Sequence, residues 1–180
     1  GLDLINQDVD LIGPLTRDKV RVAWARFDVD GVDISRPRPA WRYSSSFELR
    51  QGLSMLGATD GCVGAACAAI VPTSRFDGSS SATVVRWQGE YERAFGNVSF
   101  LLAPRAQYAF KPLFSFEEFS AGNFTIGRGY DPGELIGDHA AGGTAELRGP
   151  RLAVSRDSEL RVQPFAYFEA AGVWNRGFAG

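Results

Sequence analysis

Long segments in which apolar and polar residues alternate limit what this chain can fold into more than any other feature. In residues 41–55, the positions in step with Phe47 and Leu49 are mostly apolar, and those in step with Glu48 and Arg50 are polar or charged. A period of two is that of a β-strand, and the helical period of 3.6 is absent. The same alternation recurs in further segments: 19–32, 82–95, 98–110, 143–148 and 160–174.

Residues 1–16 are predicted to be an edge strand or a loop remnant, since Pro14 interrupts their alternation. The chain is therefore predicted to be all-β, with about six to seven antiparallel strands. Two architectures bury such strands. In a soluble sandwich the apolar face packs on a second sheet, whereas in a transmembrane barrel it meets lipid and the polar face lines a lumen.

Strand length and loop length favour the barrel. At about 3.3 Å per residue, residues 41–55 are long enough to cross a bilayer with tilt. The polar faces carry charges of both signs, as a hydrated lumen would. The connection at Gly96-Asn97 is very short, whereas residues 56–80 and 114–142 are long connections. Short turns on one rim and long loops on the other are typical of outer-membrane barrels.

Composition excludes several classes of function. The chain has 180 residues, a net charge of −2 and no run of 18 apolar residues, so neither a transmembrane helix nor a basic nucleic-acid surface is predicted. No Ser-His-Asp, Cys-His or metal-ligand pattern stands out, so we predict no enzyme activity, no cofactor and no nucleotide. The chain starts at Gly1 without Met or a signal-peptide pattern, so it is expected to be a piece of a longer precursor.

The two cysteines are predicted to form a disulfide. Cys62 and Cys67 are separated by four residues and can close a small external loop in an oxidising compartment. A metal site is the alternative, but zinc takes about four ligands and His139 is the only histidine.

The loop at residues 114–142 is longer than the 12–15 residues beyond which loops are uncommon unless they are functional. At its centre, Gly127 and Gly129 flank Arg128, and both glycines are predicted to take positive φ. Arg128 would then stand at the tip of a tight bend, aimed at an acceptor elsewhere. From the residues alone, however, a solvated loop arginine is the favoured interpretation.

Two motifs in order resemble those of the outer-membrane transporters of two-partner secretion, the haemolysin activation/secretion family. The first motif is Gly127-Arg128-Gly129-Tyr130-Asp131, followed by Pro132-Gly133-Glu134-Leu135, Gly137-Asp138 and Glu146-Leu147-Arg148. The second is residues 164–175, PFAYFEAAGVWN. It has Glu169 where the family has Asp and Ala171 where the family has Gly, departures that keep the charge and the small size.

The resemblance implies that this chain is the C-terminal portion of a Gram-negative outer-membrane β-barrel, preceded by periplasmic POTRA domains. It implies export of a large β-rich passenger of the haemolysin or adhesin type, with that passenger and outer-membrane lipid as partners. Insertion of other barrels, the role of a sister group, is one alternative, and a soluble extracellular β-sandwich binding module is another.

The resemblance also implies that the loop folds inward and that Arg128 meets Glu169 on the lumen wall. Alternation supports this placement, because Glu169 falls on the polar face with Arg161 and Gln163. Two alternatives stay open. Glu169 could pair with an arginine on its own face, and the acidic residues of the loop could be turn-formers only: Asp131, Glu134 and Asp138.

Overall fold

The computed structural model describes residues 1–10, 14–35, 39–59, 71–122, 126–155 and 159–177. Cys62 and Cys67 lie outside the described residues, so their disulfide stays a prediction. The long strands are β1 (Leu2–Asp10), β2 (Pro14–Val32), β3 (Trp41–Gly52), β4 (Thr83–Phe95), β5 (Val98–Ala109), β8 (His139–Arg148) and β11 (Phe165–Trp174). The short strands are β6 (Phe119–Ala121), β7 (Leu135–Gly137), β9 (Leu152–Ala153) and β10 (Arg161–Val162).

The seven long strands form one antiparallel sheet in the order β1-β2-β3-β4-β5-β8-β11. The all-β antiparallel fold predicted from alternation is confirmed. No part of the described chain forms a helix with the length and apolar character needed to cross a bilayer. The four short strands make two separate pairs, β6 with β7 and β9 with β10.

Several strand boundaries differ from those predicted. Strand β2 begins at Pro14 instead of Lys19, and β3 ends at Gly52 instead of Met55. For residues 1–16, the edge-strand alternative is confirmed over Leu2–Asp10: β1 ends the sheet and pairs with β2, with an irregularity between Val9 and Asp10. Strand β8 begins at His139 instead of Gly143, so residues 139–142 belong to the sheet and not to the loop. Residues 140–142 are Ala and Gly, whose small side chains carry no alternation signal. Strand β11 begins at Phe165 instead of Leu160, after Pro164, which has no N–H for a ladder.

The register gives the sheet two chemically different faces. Glu48 lies opposite Arg26 on one neighbour and Arg86 on the other, and this charged side is called the polar face. Phe47 lies opposite Phe27 and Trp87, and this side is called the apolar face. Phe27 is 68% exposed and Phe47 46%. The apolar face therefore has no covering layer within the described residues.

The long loop covers part of the polar face. It leaves β5, forms the β6–β7 hairpin and returns to β8. Near its start, Phe114 is 1% exposed and packs on Val20 and Val22 of β2. The fold thus brings the loop motif over the charged side of the sheet, where its partners lie.

Candidate functional site

The tip of the loop presents two backbone N–H groups to one carboxylate. Gly127 and Gly129 have φ values of 98° and 101°, so the predicted positive φ at both glycines is confirmed. This bend turns the N–H groups of Gly127 and Arg128 toward β11, where both donate to Oε2 of Glu169 at 2.9 and 2.7 Å. Consecutive N–H groups that converge in this way form a small anion-binding concavity.

The side chain of Arg128 makes three further contacts with the polar face. Its Nε donates to Oε1 of Glu169 at 2.8 Å, and its Nη2 donates to Oε2 of Glu146 at 3.2 Å. The guanidinium carbon also lies 4.3 Å from the centre of the Tyr167 ring, within the range of a cation–π contact. The hydrogen bond to Glu169 raises the pKa of Arg128, and the one to Glu146 adds to it, so the guanidinium keeps its charge.

Glu169 accepts four hydrogen bonds from the part of the chain that the structure describes. Besides the three from the loop tip, Oγ1 of Thr144 donates to Oε1 at 3.0 Å. The Glu169 side chain is only 5% exposed, whereas that of Arg128 is 40% exposed. The Glu169 carboxylate is therefore the buried partner of this contact, and it accepts most of the hydrogen bonds that hold the loop tip.

The sequence analysis did not predict three of these contacts: those of Arg128 with Glu146 and with Tyr167, and that of Glu169 with Thr144. Thr144 lies directly opposite Glu169 in the register of β8 and β11. Two residues further along each strand, on the same face, Glu146 lies opposite Tyr167. Alternation does place Tyr167 on the side of Glu169. Which residues of β8 lie opposite them depends on the register, which alternation does not give.

The other two motif residues shape the turn and do not reach the carboxylate. The N–H of Tyr130 donates to the carbonyl oxygen of Gly127 at 3.1 Å, and the Tyr130 side chain is 66% exposed. Asp131 accepts a hydrogen bond from the N–H of Glu134 at 3.1 Å through its own carbonyl oxygen.

Asp138, which is fully buried, links the two ends of the loop at its base. One carboxylate oxygen accepts from the N–H of Leu113 at 2.8 Å and from Nη1 of Arg75 at 2.8 Å. The other accepts from the N–H of Arg176 at 2.7 Å. Asp138 therefore ties both ends of the loop to each other and to the chain after β11. Its three donors are far apart in sequence, so the view of Asp138 as a turn-former only is wrong.

Arg75 extends this junction to the connection between β3 and β4. Besides Asp138, its guanidinium donates to Asp77 at 2.7 Å, to Glu118 at 2.8 Å and to the carbonyl oxygen of Arg176 at 2.9 Å. Burial raises the pKa of Glu118, and Arg75 opposes that rise. The resulting cluster of one arginine and three carboxylates fixes the start of the loop against a neighbouring loop.

The described residues contain no group of three or more His, Cys, Asp and Glu that could hold a metal ion. What the arrangement can do is hold a long loop against a charged wall, with one contact at the tip and another at the base.

An antiparallel sheet with one charged and one aromatic face, whose inward loop is fixed to the charged face, defines the wall of an outer-membrane β-barrel transporter. The chain belongs to the haemolysin secretion/activation protein family ShlB/FhaC/HecB, whose model matches residues 30–176. Comparison with curated proteins and with solved structures found no match.

The family match confirms the resemblance drawn from the two motifs. Proteins of this family are transporters of two-partner secretion in the outer membrane of Gram-negative bacteria, which confirms the predicted localisation. The family is one of secretion transporters and not of enzymes. The matched range includes the loop with Arg128 and the strand with Glu169.

Proposed function

We propose that this chain forms part of an outer-membrane pore that exports a large β-rich passenger protein of the haemolysin or adhesin type. The observation that carries the proposal is the docking of the Arg128 tip on Glu169 and Glu146. A loop held across the polar face occupies the interior that a passenger would cross, so its position sets the width and shape of the path.

The uncovered part of the polar face suits an extended polypeptide. A cavity of about 430 Å³ lies between the loop and the sheet, and Arg26, Glu48 and Arg105 are among its lining residues. A second cavity of about 290 Å³ continues along the wall past Asp28 and Glu90. Charges of both signs and many hydrogen-bonding groups keep such a surface hydrated, so an unfolded chain can slide along it without strong binding.

We further propose that this chain is the C-terminal portion of the barrel and that additional strands complete it. Among the described residues, β1 and β11 each pair with one neighbour only. Lipid offers no hydrogen-bonding partner to an unpaired strand edge, so both edges require further strands in a membrane.

An export assay with the intact protein that contains this chain tests the function. A Gram-negative host that lacks two-partner secretion systems of its own would express the intact protein together with the passenger encoded by the neighbouring gene. We expect passenger in the medium only when both are present. Passenger retained in the periplasm, together with falling levels of other outer-membrane barrels when the protein is removed, would support the insertase role instead.

The orientation of the two faces can be tested in the intact barrel. Spin labels at Phe47, Leu49, Trp87, Phe100 and Tyr108 are expected to collide with a lipid-soluble quencher, because the register places these residues on the apolar face. Labels at Glu48, Arg50, Glu90 and Arg105 are expected to respond to a water-soluble quencher. The reverse pattern at the two sets would show that the faces are exchanged.

A further inference from the structure

The loop makes a second contact with the wall at Glu117, before the β6–β7 hairpin. One carboxylate oxygen of Glu117 accepts from Nη2 of Arg50 at 3.0 Å, and the other accepts from Nη2 of Arg86 at 3.0 Å. Its carbonyl oxygen accepts from Arg86 at 3.0 Å and from Nε2 of Gln107 at 3.2 Å. Glu117 is 7% exposed and Arg50 8% exposed, so this contact is shielded from water.

This contact is separate from the one at the loop tip. Arg50, Arg86 and Gln107 belong to β3, β4 and β5, whereas the partners of Arg128 belong to β8 and β11. The polarity is also reversed. At the tip, a loop arginine meets wall carboxylates, whereas here a loop carboxylate meets wall arginines.

The two wall arginines require a carboxylate in this position. Arg50 and Arg86 lie on neighbouring strands, and the carboxylate they share on the wall is Glu48, at 3.4 and 3.8 Å. Nε of Arg50 is buried without a hydrogen-bond partner among the described residues. Without Glu117, the buried Arg50 would keep Asp3 and Glu48 at 3.3 and 3.4 Å among the described residues. Arg86, whose side chain is 33% exposed, would keep Glu48 at 3.8 Å. Both guanidiniums would lose their closest carboxylate, and leaving a buried charge without a close partner is costly.

We propose that Glu117 is a positioning residue that fixes the first half of the loop to the barrel wall independently of Arg128. When the tip is released, the loop then turns about Glu117 and stays inside the barrel. This differs from export itself, because it concerns where the loop lies in the resting protein.

Distances between spin labels in the intact protein, without passenger, test the proposal. In one pair, the labels are at Ser115, two residues before Glu117, and at Gln88 on the wall. In the second pair, they are at Tyr130, at the loop tip, and at Gln88. These three side chains are exposed. Both native cysteines would be replaced by serine so that only the introduced ones are labelled. The variants are Glu117→Gln, Arg128→Ala and their combination.

We expect Glu117→Gln to broaden the distance peak of the Ser115 pair, since Gln has nearly the shape of Glu but no charge, while Phe114 and Asp138 still hold the start of the loop. Arg128→Ala should broaden the Tyr130 pair and leave the Ser115 peak narrow, and the double variant should broaden both. Glu117→Asp should restore part of the Ser115 peak. Glu134→Gln is the matched control, because Glu134 is an exposed carboxylate of the same loop.

Two results would overturn the proposal. An unchanged Ser115 peak in Glu117→Gln would show that the carboxylate does not hold the loop. Broadening of both pairs in Arg128→Ala alone would show that the tip holds the whole loop. Heat-modifiable migration in gels would establish that each variant is a folded barrel. Because no passenger is present, a failure of the export proposal would not alter these distances.

Discussion

Replacing Arg128 with alanine is expected to leave a folded barrel in the outer membrane and to reduce export about tenfold or more. The side chain is 40% exposed, so its ion pairs with Glu169 and Glu146 and its contact with Tyr167 contribute up to about 1 kcal/mol each. The position of the loop responds more strongly than the folding of the barrel to the loss of these contacts. If the free energy that favours the docked loop falls by about 1.4 kcal/mol, the ratio of docked to undocked protein falls tenfold.

Glu169→Ala is expected to be more severe than Arg128→Ala. In Arg128→Ala, Glu169 can still accept from the N–H groups at positions 127 and 128 and from Thr144. In Glu169→Ala, every donor at the tip loses its acceptor on β11. The structure therefore makes Glu169 the more important member of the pair.

Passenger in the medium, measured against the amount of barrel in the outer membrane, provides the readout for both variants. Arg128→Lys keeps the charge but loses the planar fork, and we expect it to restore export only in part. Arg151→Ala is a matched control, since Arg151 is an exposed arginine outside the loop. Export by Arg128→Ala at the level of the parent protein would refute a role for the tip contact.

Replacing Asp138 with alanine is expected to cause the largest loss of stability. Removing one partner of a buried ion pair costs roughly 3–5 kcal/mol, and we expect roughly 3 kcal/mol here because Asp77 and Glu118 still neutralise Arg75. The backbone N–H groups of Leu113 and Arg176 also lose their acceptor. The base of the loop should then separate from the chain after β11.

Urea unfolding of the intact protein in lipid vesicles measures this effect. Asp138→Asn is expected to be intermediate, because one amide oxygen can still accept from Leu113 or Arg75 while the amide NH₂ faces the N–H of Arg176. Asp131→Ala, at an exposed carboxylate of the same loop, should change the free energy of unfolding little. An equally small change in Asp138→Ala would mean that the buried carboxylate does not hold the loop base.

The sequence by itself determined the elements whose signal is local. A period of two follows from strand geometry alone, so residues 41–55 could be recognised as a strand without knowledge of their neighbours. Gly127 and Gly129 revealed the bend at the tip for the same reason, since glycine readily takes positive φ. Alternation also placed Glu169 on the charged side of its strand, and the family motifs paired it with Arg128.

Only the tertiary structure decided which charged groups meet. Glu117 binds arginines on β3 and β4, and Asp138 collects donors from positions 75, 113 and 176, all of them distant in the chain. The register of neighbouring strands and the path of the loop set these pairings, and a shift of one residue would exchange the faces. Alternation shows which side of a strand is polar, but it carries no information about which polar group on another segment lies opposite, because that depends on how the whole sheet is assembled.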